Sequence, residues 1–376
     1  MASGERGCAS RGRTPGALSI AVIVFLLAGV GGQAQSASGS MPDMRVRVIF
    51  SDPFPSEGLV AVACPTADQC TAIDGNNEAV TFNPLSPGVP TAFPLGLDGF
   101  VARLVCPATT QCTGVTVEGQ EVTFNPVSPL PVMSSALYPN QDFSGVSCPT
   151  TSQCTALGYH GHEITFNPDS PGSHSEAFVE VPATDMGDVS CPSATQCTAA
   201  GANVGGQFRR SNFITFNPTS PARRTIVTAP WATLGTIDCP SQRSCTAVGQ
   251  GTRTGRPARS ETAGEVTFNP TRRGKASLVV IQGGGSDVSC PTASLCASIG
   301  VGVEATFRPG VARTYTSMTL FPGGYQGEGQ TPALSCPTTT QCTAVGKNDF
   351  EDTFNPGLPR VPPKPPPPKR RRKRHG

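Results

Sequence analysis

Residues 146–168 read VSCPTTSQCTALGYHGHEITFNP, and six further versions of this stretch run along the chain. Each version has a cysteine followed by proline, four variable residues, a second cysteine, a small-residue segment, a variable stretch and a Thr-Phe-Asn-Pro block or close variant. The pairs are Cys64/Cys70, Cys106/Cys112, Cys148/Cys154, Cys191/Cys197, Cys239/Cys245, Cys290/Cys296 and Cys336/Cys342. Apolar or β-branched residues precede the first cysteine, as in Leu59-Val60-Ala61-Val62, and the proline after it predicts the end of a strand a. The second cysteine opens strand b, which glycine ends in most copies (Gly158, Gly201, Gly249, Gly300, Gly346). Strand c ends at Phe82, Phe124, Phe166, Phe216, Phe268, Phe307 or Phe354, where Asn-Pro or Arg-Pro breaks it. A fourth run, such as Phe178-Val179-Glu180-Val181 or Ser277 to Ile281, predicts strand d. Four short antiparallel strands per repeat make a propeller blade. The expected fold class is therefore all-β: a seven-bladed β-propeller over residues 38–358, with four antiparallel strands and one hairpin disulfide per blade.

The seven pairs use 14 of the 15 cysteines. The remaining one, Cys8, lies in residues 1–37, where Arg6, Arg11 and Arg13 precede an apolar stretch from Ala17 to about Val30. This reads as a secretory signal peptide, since the apolar run falls short of the roughly 20 residues of a membrane span; an uncleaved anchor is the alternative. Export to an extracellular or cell-envelope location and disulfide formation support each other. Zinc sites need ligands converging on one ion, whereas each cysteine pair belongs to its own repeat and the chain has only 4 histidines. Directly opposed residues of an antiparallel pair have Cα atoms about 4.5–5.5 Å apart, which suits a disulfide. Each short closed loop contributes on the order of 2 kcal/mol, and the bridges are expected to pin hairpin register rather than join distant parts. The last repeat runs from Phe354 into Pro359 without a strand d, and a spare strand, Arg45 to Phe50, precedes the first repeat. Docking that N-terminal strand on blade seven is expected to close the ring and cover two open edges.

The order VSCPTTSQCTALG then GHEITFNP resembles the repeat of sialidase-like and photosystem-assembly-type propellers over residues 44–357. It also resembles secreted actinobacterial proteins with serial SCP-x4-CTAVG hairpins. The sialidase-type Asp-box is absent, because Asn-Pro-x-Ser-Pro follows the aromatic, so the resemblance implies a fold and no catalytic residue.

Residues repeated in every blade are structural candidates. Glu121, Glu163, Glu265, Glu304 and Glu351, each three residues before the strand-c Phe, read as solvated or hairpin-pairing carboxylates. The d-a and b-c connections of a propeller share one face and the a-b and c-d connections the other. The disulfide hairpins then occupy a regular face, and the opposite, irregular face carries loops that vary in length and composition. Candidate ligand-binding residues on it are Trp231, Tyr138, Tyr325, Arg209, Arg210, Arg253, Arg256 and Arg259. Between Arg209 and Lys275 basic residues outnumber acidic ones 11 to 3, which suits an anionic glycan, wall polymer or protein partner. Residues 359–376 form a Pro-rich tail ending in Lys369 to Arg374, read as disordered and as a contact for an anionic membrane surface. No nucleic-acid partner is expected, and the chain reads as a monomer.

Catalytic motifs are weak. His160-Gly161-His162 with His174 lacks the helical spacing of a zinc protease, and no phosphate-binding glycine loop or nucleophile elbow occurs. No cofactor, metal site or catalytic residue is assigned. The leading expectation is a non-catalytic binding or scaffold protein. The alternative is a carbohydrate hydrolase or lyase with acids such as Asp98, Asp142, Asp185, Asp188 and Asp287 around the central funnel.

Overall fold

The computed structural model describes residues 47–48, 58–139, 142–170, 172, 174–179, 184–203, 210–230, 232–251, 262–281, 283–300, 303–312, 315–320, 332–346 and 349–357. They form seven sheets of strands joined by turns. The inner strands are Leu59–Thr66, Val101–Ala108, Phe143–Thr150, Asp185–Ser193, Ala232–Ser241, Asp287–Thr292 and Ala333–Thr338. In blade three the sheet continues outward through Gln153–Gly158, His162–Phe166 and His174–Phe178, all antiparallel. The same a-b-c-d order makes the all-β, seven-bladed, four-stranded architecture that the repeats imply. Blade four gains a fifth strand, because Gly274–Lys275 from blade five pairs in parallel with its outer strand Thr225–Pro230.

One register recurs. The second cysteine stands opposite the motif phenylalanine in every blade, as in Cys154↔Phe166 and Cys342↔Phe354. Disulfide hairpins and the turns after each phenylalanine therefore emerge together on one face. Those turns are locally encoded: the side-chain oxygens of Asn83, Asn125, Asn167, Asn217, Asn269 and Asn355 accept the N–H two residues on, an Asx-turn that reverses the chain where proline ends the ladder.

All seven disulfides form as paired in the sequence: Cys64–Cys70, Cys106–Cys112, Cys148–Cys154, Cys191–Cys197, Cys239–Cys245, Cys290–Cys296 and Cys336–Cys342. Their geometry and surroundings differ from expectation in two ways. Each Cα–Cα distance is 4.0 Å, shorter than that of directly opposed residues. The cause is that strand a does not stop at the proline. In blade three pairing breaks after Ser147↔Thr155 and resumes at Thr150↔Gln153, so Cys148 and Cys154 face each other within a bulge, and the proline falls where no N–H is needed. The same break recurs in the other six blades.

Secondly, the bridges pin their own hairpins as expected but also reach the interior, which the sequence did not indicate. Cys70, Cys112, Cys154, Cys197, Cys245, Cys296 and Cys342 are 0% exposed, because strand b lies inside the sheet and its second cysteine points at the preceding blade. Cys70 packs with Ala333 and Val345 of blade seven, Cys112 with Ala61 and Ile73 of blade one, and Cys197 with Leu157 of blade three. Cys245 packs with Phe213 of blade four and Cys296 with Val248 of blade five. The disulfides thus serve the blade interfaces as apolar filling while covalently closing only their own hairpins.

Strand d also differs from expectation. In blade three it is His174–Phe178, ahead of the apolar run Phe178–Val181, because the outer edge meets solvent and accepts polar residues. Val179, just after it, turns inward and is fully buried.

Seven apolar clusters fill the gaps between blades. Phe124 packs with Ala61 and Ile73 of blade one, Phe216 with Leu157 of blade three, and Phe268 stacks on Phe213 of blade four at 4.5 Å. Phe82 packs with Ala333 and Val345 of blade seven. Each buried ring contributes about 2–3 kcal/mol of transfer free energy.

The recurring glutamates are buried, not solvated: Glu121, Glu163, Glu265, Glu304 and Glu351 are at most 3% exposed. The threonine two residues on donates its hydroxyl to each, at 3.0 Å for Thr123 to Glu121 and 2.8 Å for Thr267 to Glu265. That hydroxyl replaces part of the lost hydration at the inward-facing position. Burial still pushes Glu121 and Glu163 up to about 7 from the ordinary 4.5. A raised folded-state value means the folded protein binds more protons between those limits, so stability is complete below 4.5 and declines as pH rises through 7. The melting temperature is therefore expected to fall between about pH 5 and pH 8, and Glu163→Gln is expected to flatten that slope in calorimetry.

At the N-terminus, Arg47 and Val48 pair antiparallel with Glu351 and Phe350 of blade seven. The rest of that segment, the leader 1–37 and the tail 359–376 lie outside the described residues. If the segment closes the ring, deleting residues 44–50 will lower the melting point and promote aggregation. A monomeric deletion protein with an unchanged melting curve rejects the closure.

Candidate functional site

Seven inner strands converge on the axis, and the residue before the first cysteine of each faces the next blade. Ser147, Ser190, Asp238, Ser289 and Ser335 accept the backbone N–H of Cys191, Cys239, Cys290, Cys336 and Cys64 at 2.6–3.0 Å. Ala63 and Val105 occupy the same position in blades one and two and have no such group to offer. Two residues earlier along each strand the occupants are Ala61, Arg103, Gly145, Asp188, Thr236, Asp287 and Ala333. Arg103 reaches across the axis from blade two, with Nη2 2.8 Å from Asp188 Oδ2 in blade four and Nη1 3.0 Å from Asp287 Oδ1 in blade six. The same aspartates accept backbone N–H groups of the following blades, Ile237 to Asp188 at 3.3 Å and Leu334 to Asp287 at 2.9 Å. Gly145 makes room for this knot, since a Cβ there would lie 2.8 Å from Asp188 Oδ1.

The remaining channel has a volume of about 250 Å³. Burial pushes Asp238 up to about 6 despite its bond from Cys290, and Asp188 is also raised by burial against the pull of Arg103. The guanidinium of Arg103 is held above its ordinary range, the two carboxylates outweighing its desolvation. The channel carboxylates are thus occupied by a cation and by backbone amides. Among the described residues no group of three His, Cys, Asp or Glu has the geometry to hold a metal ion.

A larger cleft, about 720 Å³, opens on the opposite face between blades two and three. It is lined by Ala102, Val117, Glu118, Asp142, Phe143, Ser144 and Tyr159. Glu118 and Tyr159 stand in the b-c hairpins, which are clamped to the strand entrances by Val117 N–H to Phe100 O at 3.1 Å and Tyr159 N–H to Asp142 O at 2.8 Å. The Glu118 carboxylate fills the space that a side chain on Gly99 would take; Gly99 has φ +81°. Phe143, 1% exposed, makes an apolar floor, while Tyr159 is 40% exposed. The Tyr159 hydroxyl donates to Asp185 Oδ2 at 3.0 Å, and burial followed by that neighbour raises its pKa. The His162 ring of blade three sits against Tyr138 at 5.0 Å and Phe178 at 4.4 Å.

Of the candidate ligand-binding residues, Tyr138 is half-buried against His162 and Arg210 is exposed at the start of strand c in blade four. They stand in different blades and line no common site. Trp231, Tyr325, Arg209, Arg253, Arg256 and Arg259 lie outside the described residues. The basic sector divides between the two faces: Arg223, Arg224, Arg272, Arg273 and Lys275 follow strand c of blades four and five, on the disulfide side. Asp188 and Asp287 do face the axis. Arg103, Glu118 and Tyr159 were missed, although Arg103 is the one basic residue at a position where other blades have Ala, Gly, Thr or Asp.

No family model matches the sequence, and no curated protein matches it. Among solved structures 1209 chains match. One, titled "Structure of U3-55K", superposes with a TM-score of 0.62 at 10% identity, covering 82% of this chain and 98% of that one. At that identity the likeness establishes the propeller fold alone.

Removing one partner of a buried ion pair leaves uncompensated charge, so Arg103→Ala is expected to cost about 3–5 kcal/mol in denaturant unfolding. Adding Asp188→Asn and Asp287→Asn to Arg103→Met is expected to restore much of that loss.

Proposed function

We propose that the protein is a non-catalytic binding protein of an oxidising extracellular or cell-envelope compartment, with a neutral glycan seated in the cleft between blades two and three. The observation that carries this reading is the half-exposed Tyr159 ring beside Glu118 and Asp142, over the apolar floor of Phe143. A sugar presents one apolar ring face and a rim of hydroxyls. An aromatic platform suits the former and carboxylate acceptors the latter. Two carboxylates in the cleft disfavour the anionic glycan that composition suggested. Seven disulfides support the oxidising compartment. Binding is favoured over hydrolysis because the axial carboxylates are held by Arg103 and backbone amides.

The test is a glycan-binding screen of the full chain, followed by titration. Tyr159→Ala is expected to weaken binding by roughly tenfold or more, and Glu118→Gln to weaken it less, with the melting point unchanged. Binding that survives Tyr159→Ala undiminished, or an absence of neutral glycans among the ligands, rejects the reading.

A further inference from the structure

The face that bears the disulfides is regular in backbone but not in what it presents. The second cysteine and the motif phenylalanine are in the same register in every blade, and equivalent hairpin glutamines bond from one blade to the next, so the turns after the phenylalanines emerge at a common level. In blades one and two these turns expose Leu85 at 52%, Val89 at 88%, Val127 at 60% and Leu130 at 82%. Leu85 and Val127 occupy the same place in Asn-Pro-x-Ser-Pro, where blades three, four and five have Asp169, Thr219 and Thr271. In blades four to six the turns carry cations: Arg223 and Arg224, then Arg272, Arg273 and Lys275, then Arg308, which replaces the usual asparagine and is followed by Val311 at 50% exposure.

Blades four and five are fastened together at this point. The parallel ladder joins Val227 to Gly274 and Thr228 to Lys275, Ala276 N–H donates to Thr228 O at 3.0 Å, and Arg273 Nη2 donates to Arg224 O at 3.4 Å. Two basic loops are thereby held side by side in spite of their mutual repulsion. Among the described residues the ion pairs are those of Arg103 with Asp188 and Asp287 and of His174 with Glu176; the buried Glu163 carboxylate attracts Arg224, which leaves Arg223, Arg272, Arg273 and Lys275 as exposed cations of this rim. Asp68 and Asp169 are acids of the same face, in blades one and three, and Arg243 adds a further cation in the hairpin of blade five.

We propose that this face docks on an anionic lipid bilayer, with the apolar tips of blades one and two entering the interface and the basic rim of blades four to six on headgroup phosphates. A planar surface touches turns at a common level on both sides of a ring. A soluble polyanion would use the basic rim and leave Leu85, Val89, Val127 and Leu130 without a role. Interfacial binding combines apolar insertion with attraction to acidic lipid. The inference is independent of the glycan reading, whose cleft opens on the opposite face.

The test is co-sedimentation of the full chain with vesicles of phosphatidylcholine alone or mixed with phosphatidylglycerol. Three variants are compared: Leu85→Ser with Val89→Ser, Val127→Ser and Leu130→Ser; Arg223→Gln with Arg272→Gln and Lys275→Gln; and Arg370→Gln with Arg371→Gln and Arg372→Gln in the tail. Binding is expected to require phosphatidylglycerol, to weaken roughly a hundredfold in the rim variant, and to fall in the apolar variant while all melting points hold. Binding lost only in the tail variant overturns the proposal. So does capture by soluble heparin with the apolar variant unaffected on vesicles, which would make the rim a polyanion site, and so does an absence of vesicle binding.

Discussion

Seven strands brought to one axis leave backbone amides where water has little access, and each must find an acceptor in the neighbouring blade. The chain meets this with one position, the residue before the first cysteine, filled by serine or aspartate in five blades. An unpaired buried amide costs about as much as a lost hydrogen bond, so this belt fixes the angle at which each blade meets the next. Outside it a second belt works at the level of the hairpin turns. Gln69, Gln111, Gln153, Gln196 and Gln341 each donate a side-chain N–H to a backbone carbonyl of the following blade, the last reaching Ala67. The apolar wedges then fill a gap whose width is already set.

On this frame the departures from the repeat carry the individuality of the molecule. Arg103, Asp188 and Asp287 occupy one tier in alternate blades and tie two, four and six across the axis. Glu118 and Tyr159 occupy hairpins that vary from blade to blade, and their cleft opens where two such hairpins meet. The disulfide face, uniform in backbone, is divided between apolar and basic side chains. Regularity of fold and regularity of surface are separate properties here.

Strand count, blade count and disulfide pairing were legible because each depends on residues within one repeat: Cys-Pro, the small segment and Phe-Asn-Pro set local geometry wherever they occur. The end of strand a was misplaced because a bulge lets a strand pass through proline, and the bulge is fixed by pairing with strand b. Strand d was misplaced in blade three because hydrophobicity marks what is buried, and the outermost strand is the least buried. The glutamates were read as solvated or hairpin-pairing; they do stand in the b-c hairpin ladder, and their burial went unread for want of a third dimension. Strand alternation puts Glu163 and Thr165 on one side, but only packing against the next blade makes that side an interior. The burial of Cys197 and Cys245 escaped the sequence in the same way, since their neighbours Leu157 and Phe213 belong to other repeats. The cleft was illegible too, because Glu118 and Tyr159 are 41 residues apart in sequence and meet only through the blade repeat.

Every disulfide spans a sequence separation of 6 and lies within one hairpin. In covalent terms the molecule is a linear thread bearing seven small loops, with no bond crossing from blade to blade. A single cut in any connection between blades divides that thread into two pieces held by non-covalent contacts alone, so denaturant separates them without a reductant. Pulled from its ends, the thread stays short of its full contour by seven closed detours, each hiding up to roughly 20 Å of extended chain. Reduction under load would release that hidden length in seven equal steps.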